Sequence, residues 1–187
     1  MILVLILGVA LWCAAHAFKR VAPGIRAPLG ERGKGLVAIV LLASVVLMVI
    51  GYRNSSGAVF WGRTPALTGI NNLLMVLAFY AFSTGSTPPG RPRNWLGTKV
   101  RHPQLTGFAI WAVAHLLVNG DVESFILFGG LLVWSLAEIV LINRAEPDWT
   151  PPEYGGMKTE VRIAGIGLVI LIVVMLIHNW IGVTPWG

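Results

Sequence analysis

The chain has 187 residues, of which 56% are hydrophobic and only 12% are charged, and its formal net charge is +6. A soluble globular domain carries about 25% charged residues, so the composition argues against a soluble fold and predicts an integral membrane protein. The basic residues lie in short segments between apolar runs, where anionic lipid headgroups are their expected contacts, and we expect no nucleic-acid partner. The single cysteine, Cys13, excludes an intrachain disulfide.

Six apolar runs follow one another along the chain and predict an all-α fold, a polytopic transmembrane helical bundle. They cover residues 2–18, 35–52, 65–83, 103–119, 122–143 and 161–182. About 17–25 helical residues cross a bilayer, and backbone groups in lipid must be hydrogen-bonded within the segment, so each run is expected to form one helix. Prolines stand at the edges of the runs and not in their interiors. We expect a single transmembrane domain over residues 1–187.

The first run has the length of a cleaved signal peptide, and Ala15-His16-Ala17 resembles a small-residue cleavage site. Two features favour a retained helix instead. No basic residue precedes the run, and Lys19 and Arg20 follow it directly. That order of charges is typical of a membrane anchor whose N-terminus lies outside.

The basic residues predict the orientation of the bundle. Twelve of the fourteen fall in the first, third and fifth loops, whereas the second loop has only Arg53 and Arg63 and the fourth has none. The positive-inside rule therefore places the odd-numbered loops in the cytoplasm and both termini outside.

Polar residues within the runs fall into two layers at different depths. Near the cytoplasmic face lie His16, Tyr80, His102 and Glu138, and near the outer face lie Asn71, Asn72, His115, Asn119 and His178. An ionisable group at membrane depth is costly and usually has a partner or a function. Glu138 suits a proton carrier, a counter-ion or an orienting partner for an imidazole, and equally a neutral carboxyl bonded to a neighbouring helix.

The four histidines differ in their sequence surroundings. His102 and His178 lie beside polar or interfacial residues, which favours solvated imidazoles at the membrane surface. His16 and His115 are flanked by apolar residues on both sides. Two neutral imidazoles on different helices can bind a metal or hold a haem iron from its two faces. A hydrogen bond to a neighbouring helix explains each of them equally well, so the residues leave both interpretations open.

The most distinctive motif lies in residues 101–121. It comprises Arg101-His102-Pro103, Gly107-Phe108-Ala109, Trp111, Ala114-His115 and Asn119-Gly120-Asp121, and it is accompanied by Ala15-His16 in the first run. This pattern resembles the NnrU family of bacterial membrane proteins, over essentially the whole chain. The resemblance implies a multi-pass protein of the bacterial inner membrane with a role linked to denitrification and nitric oxide metabolism.

The NnrU family is similar to the 15-cis-ζ-carotene isomerase, a membrane protein that uses haem b. The resemblance implies that haem b lies between the helices, with His16 and His115 as iron ligands. In this haem hypothesis Glu138 would tune the site. His178 and His102 are further candidate metal ligands. The isomerase has a cysteine three residues before its second histidine, where this chain has Ala112. That departure argues against carotenoid isomerisation.

Depth in the membrane raises a conflict with this ligand pair. His16 lies towards the cytoplasmic end of its run and His115 towards the outer end of its own. A helical rise of 1.5 Å separates them by roughly 10–15 Å along the membrane normal. Nitrogens on opposite faces of one iron are only about 4 Å apart, from metal–nitrogen bonds of about 2 Å. Depth alone favours His115 with His178, and His16 with Glu138 or His102.

Three functions are compatible with the sequence. The first is a haem b-binding protein linked to nitrogen oxides. The second is a haem-dependent cis–trans isomerase of a carotenoid-like apolar substrate that enters from lipid. The third is a non-enzymatic membrane assembly or sensing factor, in which the polar residues only hold the bundle together. Membrane lipid is the expected partner in each case.

Overall fold

The computed structural model describes residues 1–185, and Trp186 and Gly187 lie outside the described residues. Helices account for most of the described chain, as the composition predicts. The long helices are α1 (Ile2–Val21), α3 (Gly30–Arg53), α4 (Pro65–Thr84), α6 (Pro103–Val118), α8 (Gly130–Ala145) and α9 (Gly156–Trp180). The short elements are α2 (Pro23–Arg26), a 3-10 turn (Ala27–Leu29), β1 (Val59–Trp61), α5 (Trp95–Lys99), β2 (Gly120–Asp121), α7 (Val122–Ser124) and a π-helical segment (Phe125–Gly129).

Five helical segments are long and apolar enough to cross a membrane. They are Ile2–Val21, Pro23–Arg53, Pro65–Thr84, Val122–Ala145 and Gly156–Trp180. Helix α6 is equally apolar but has only 16 residues, about 24 Å of helix against roughly 30 Å of hydrocarbon. All six predicted runs are therefore helical, and five of them reach the length of a span.

Prolines and polar caps begin the helices at the predicted places. Pro65 opens α4, and the hydroxyl of Thr64 accepts a hydrogen bond from the Leu67 backbone N–H at 3.2 Å. Pro103 opens α6 directly after His102. Proline is favoured at a first helical position because its missing N–H would have no partner there, and a threonine side chain satisfies a donor that would otherwise be free.

The helices pack side by side in the order α3, α1, α8, α6, α4, α9. Helices α3 and α9 therefore stand at the two ends of this series, with no extensive packing between them in residues 1–185. Glycines allow the closest approaches: a Cβ at Gly51 would lie 2.5 Å from the Leu5 nitrogen, and one at Gly107 would lie 2.5 Å from the Ala78 carbonyl oxygen. Small residues at helix contacts let backbones approach in this way.

Loop contacts identify the two sides of the bundle. On one side, here called the strand side, β1 pairs antiparallel with β2, and Arg63 donates to the Thr184 carbonyl at 2.6 Å. On the other, here called the basic side, Arg101 donates to the backbone carbonyls of Glu146 and Pro147. Residues 54–64, 119–121 and 181–185 thus share the strand side, and residues 22–29, 85–102 and 146–155 share the basic side.

Candidate functional site

A cavity of about 880 Å³ lies between the two ends of the helix series. Its walls come from α3, α4, α6, the π-helical segment and α9, together with residues 181–185. Cavities of roughly 300–1,000 Å³ hold drug-sized ligands and cofactors. The cavity is thus large enough for a cofactor, and we call it the His115 cavity.

The lining of the His115 cavity changes from apolar to polar towards the strand side. The lining farthest from the strand side, here called the floor, comprises the buried Met48, Leu131 and Leu171 together with Val45 and Trp111. Its mouth, nearest the strand side, includes Arg53, Arg63, Asn119 and Ile181, with Asn71 and Asn72 on the α4 wall. A ligand that matches this lining has an apolar body and a polar end.

His115 lies one turn before the end of α6 and lines the cavity. Its Nδ1 is 3.0 Å from the Trp111 carbonyl oxygen. A carbonyl oxygen only accepts, so Nδ1 carries the proton and Nε2 keeps its lone pair. The ring of Phe128 stacks on the imidazole at 4.4 Å between ring centroids. The imidazole is therefore held in one tautomer, with the Phe128 ring stacked against it.

His178 lies in the last turn of α9 and lines the same cavity. Its Nδ1 is 2.8 Å from the Val174 carbonyl oxygen, so this ring also presents an unprotonated Nε2. Neither Nε2 has a hydrogen-bond partner within residues 1–185. The structure thus places two imidazoles from two helices on one cavity. Each has an unprotonated Nε2 whose lone pair can bind a metal.

The π-helical segment, Phe125–Gly129, supplies part of the wall beside His115. It carries Leu127 and Phe128 into the lining, and Phe128 also contacts the rings of Tyr52 and Trp111. Single π-helical turns often occur at functional sites because they redirect the side chains of one turn. The apolar run of residues 122–143 gives no signal of this turn, apart from the neighbouring Gly129-Gly130 pair.

His16 lies in a different environment and does not line the His115 cavity. Its Nδ1 is 3.0 Å from the Trp12 carbonyl oxygen, and its ring is 4.4 Å from the Trp12 ring and 4.6 Å from the Trp134 ring. Together with Phe108 these residues form a packed group, here called the His16 cluster. The buried indole N–H groups of Trp12 and Trp134 have no acceptor within residues 1–185.

Aromatic rings link the His16 cluster to the His115 cavity. Ring centroids follow one another from Trp134 to Phe108 at 5.1 Å, from Phe108 to Trp111 at 5.0 Å and from Trp111 to His115 at 4.7 Å. His16 and His115 are thus separated by intervening aromatic rings. The structure does not place their imidazoles on one common cavity.

Glu138 and His102 lie towards the basic side, away from the cavity lining. The Glu138 carboxylate is buried and accepts from the Arg20 guanidinium at 2.5 Å. The nearest polar group to the His102 Nε2 is the Asn143 side-chain oxygen at 2.9 Å. The ionic partner of Glu138 is therefore an arginine, which corresponds to the counter-ion interpretation of this carboxyl.

The donor set of the cavity restricts what it can hold. Within residues 1–185 no group of three or more histidine, cysteine, aspartate or glutamate side chains could bind a metal ion. A bare zinc site typically needs four ligands, of which at least three come from protein. A haem iron needs only one or two axial ligands from protein, because the macrocycle supplies the others. Two imidazoles over an apolar floor therefore fit haem better than a bare metal ion.

The position at which the isomerase has a cysteine also provides no ligand to the His115 cavity. Ala112 is completely buried in the packing of α6 and does not line the His115 cavity. The only cysteine, Cys13 of α1, packs against the hydrophobic core of the bundle and is likewise absent from the lining. No thiol of residues 1–185 is available as an alternative ligand in this cavity.

Comparison with known proteins gives one match. A protein-family model described as "NnrU protein" matches residues 4–185. No curated protein and no solved structure matches the chain.

Proposed function

This chain belongs to the NnrU family, and we propose that it binds haem b in the His115 cavity, with His115 and His178 as the protein ligands to the iron. The observation that carries the proposal is the pair of unprotonated Nε2 atoms on one apolar cavity. In neutral histidine the unprotonated nitrogen is the metal ligand, and the hydrogen bond at the other nitrogen fixes its orientation.

The residues around the two histidines have supporting roles. The carbonyls of Trp111 and Val174 hold the imidazole tautomers, and Phe128 limits the rotation of the His115 ring. The apolar floor offers few hydrogen-bonding groups and so disfavours water beside a bound ligand. When bound, haem b would supply an iron centre that exchanges an electron, and a small ligand such as nitric oxide would bind the iron only where one of the two histidines leaves it.

We place the role of the protein in nitric oxide metabolism linked to denitrification. The supporting argument is that nitric oxide is a small, weakly polar molecule that enters lipid readily. The His115 cavity lies between α3 and α9, which do not pack extensively against each other in residues 1–185. A molecule dissolved in the bilayer could therefore reach the cavity between these two helices.

The test of haem binding is the absorption spectrum of purified protein after expression with excess haem. We expect a Soret band in wild type, and its loss in His115→Ala and in His178→Ala. His102→Ala is the matched control, because this histidine lies on the basic side, and its band should be unchanged. A wild-type protein without a Soret band would contradict the proposal, as would a band that survives both substitutions.

The membrane arrangement that we propose has six spans in the bacterial inner membrane, with both termini outside. It is supported by the five long apolar segments and by the basic residues of the loops that meet on the basic side. Helix α6 would form the short fourth span beside α4 and α8. A reporter fused after Gly187 should behave as periplasmic, and a cytoplasmic signal would overturn this arrangement.

A second candidate function is haem-dependent cis–trans isomerisation of an apolar polyene. The observation that favours it is the largely apolar lining between α3 and α9, on the path by which a lipid-soluble substrate would enter. Ala112 counts against it, because no thiol occupies that position. Expression in a host that accumulates poly-cis carotene separates the two functions, since only the isomerase would alter the carotene isomers.

A further inference from the structure

We propose that Arg53 and Arg63 form the anion-binding end of the His115 cavity and hold the two propionate carboxylates of the bound haem. This inference rests on the proposed function, and it adds the orientation of the ligand. Both arginines line the cavity at its mouth. Arg53 is the last residue of α3, and Arg63 lies two residues before the start of α4.

The placement of these two arginines is exceptional in this chain. Twelve of the fourteen basic residues belong to the loops that meet on the basic side, and Arg53 and Arg63 are the other two. Positive charge is normally avoided in short loops on the outer side of a membrane. Both exceptions line the mouth of the same cavity, so a ligand with negative charge gives a single reason for both.

No carboxylate of the described chain neutralises either guanidinium. The ion pairs within residues 1–185 are Arg20 with Glu138 and Lys34 with Glu31. The acidic side chains nearest in sequence on the strand side have other bonds: Asp121 accepts from the Ser124 N–H and Glu123 from the Gly57 N–H. Arg63 donates one N–H to the Thr184 carbonyl, and its other donors have no partner within residues 1–185.

The rest of the lining agrees with an acid group at the mouth. The amides of Asn71 and Asn72 lie on the α4 wall, and the floor is apolar. Guanidinium groups bind carboxylates through paired, charge-assisted hydrogen bonds. A ligand with an apolar body and an acidic edge therefore satisfies both ends of the cavity in one orientation only, with its acidic edge at Arg53 and Arg63.

The experiment compares haem with haem dimethyl ester, in which both propionates are esterified and uncharged. Binding is measured by Soret absorbance in nanodiscs of phosphatidylcholine, which has no net charge. Wild type should bind haem about tenfold more tightly than the ester, and Arg53→Gln/Arg63→Gln should bind the two equally. Arg32→Gln/Arg91→Gln is the matched control, because it removes two exposed arginines from the basic side and should keep the wild-type preference.

Each other outcome has a distinct meaning. If haem binds through His115 but Arg53→Gln/Arg63→Gln keeps the preference for haem over the ester, this inference is wrong and the proposed function stands. If wild type binds neither compound, the proposed function fails and this inference fails with it. A second arm adds phosphatidylglycerol to the nanodiscs. If wild type in this anionic membrane no longer prefers haem over the ester, lipid phosphate occupies the arginines and the inference is overturned, whereas a preference that persists supports it.

Discussion

The histidines of the His16 cluster and the His115 cavity make the same local hydrogen bond in different surroundings. In each, the histidine Nδ1 donates to the backbone carbonyl four residues earlier, which leaves Nε2 unprotonated. Around His16, two indole rings fill the adjacent space. Around His115, the rings of Phe128 and Trp111 lie at 4.4 Å and 4.7 Å, and the cavity occupies the remaining space.

This difference shows that an unprotonated imidazole at membrane depth is not by itself a ligand site. The side chains one turn away and on the facing helix decide whether a ligand has room to approach. Trp134, from α8, closes the His16 cluster, whereas the wide turn of the π-helical segment and the separation of α3 from α9 leave space beside His115. The comparison therefore predicts different consequences for equivalent substitutions.

The largest expected difference concerns bound haem. His178→Ala should lower the haem-to-protein ratio by about tenfold or more, because it removes one of the two proposed iron ligands. His16→Ala should change the ratio by less than about twofold, because His16 does not reach the cavity. The Soret absorbance per protein measures both. The reverse result would support the pair of His16 and His115 that the family resemblance implies.

Tryptophan substitutions test the packing of the two regions. Trp134→Ala should lower the free energy of unfolding by about 4 kcal/mol, because it opens a hole in a filled cluster. Trp111→Ala should lower it by about 2 kcal/mol, because this ring already borders a cavity. Denaturant titration in detergent micelles measures both. Trp134→Phe is the control and should have a small effect, and equal losses at Trp134 and Trp111 would argue against a difference in packing.

Substitution of the Arg20–Glu138 ion pair tests whether water reaches the bundle at the basic side, near the His16 cluster. Arg20→Ala leaves a buried carboxylate without its partner and should lower the free energy of unfolding by about 3 kcal/mol. Removing both side chains, in Arg20→Ala/Glu138→Ala, should restore most of that loss. The exposed pair of Lys34 and Glu31 is the control, and Lys34→Ala should change stability by less than about 0.5 kcal/mol. A similar small change for Arg20→Ala would indicate that water reaches Glu138.

Two tyrosine hydroxyls give the smallest expected difference between the sides. Tyr80 donates to the Glu160 carboxylate at 2.7 Å, and Tyr52 shares a hydrogen bond with the neutral Ser124 hydroxyl at 2.9 Å beside the cavity. Tyr80→Phe should lower the free energy of unfolding by about 2 kcal/mol and Tyr52→Phe by about 1 kcal/mol, since bonds to charged groups are stronger. The same denaturant titration applies. A larger loss of unfolding free energy for Tyr52→Phe than for Tyr80→Phe would mean that the Tyr52–Ser124 hydrogen bond stabilises the cavity wall more than expected.

Helix positions were largely predictable from the sequence. The apolar runs at 65–83 and 103–119 become helices Pro65–Thr84 and Pro103–Val118, because a proline marks each start without ambiguity. The start of α3 was less predictable. It begins at Gly30, five residues before the apolar run, because a helix continues through charged residues once its apolar part is fixed.

The short elements of the strand side were not predicted from the sequence. The pairing of β1 with β2 joins residues about 60 positions apart, as in Val59 with Asp121, and no local pattern signals such a contact. The π-helical turn at Phe125–Gly129 lies inside an uninterrupted apolar stretch, residues 125–134, where hydropathy has no period that distinguishes it from an α-helix.

The class of the protein, its helices and the depth of each polar residue along its own helix could be predicted from the sequence. These properties depend on local composition and on the rise per residue, so the chain displays them directly. Depth alone already favoured His115 with His178 over His115 with His16.

Which helices become neighbours, and where space remains between them, depends on the packing of the folded chain. The order α3, α1, α8, α6, α4, α9 separates His16 from the cavity and brings Arg53, Arg63, His115 and His178 to it. That order depends on side-chain fit between helices distant in the chain, such as Gly107 of α6 against the backbone of α4. Such fit has no signature in any single segment, because every apolar helix in lipid presents similar faces until its neighbours are known.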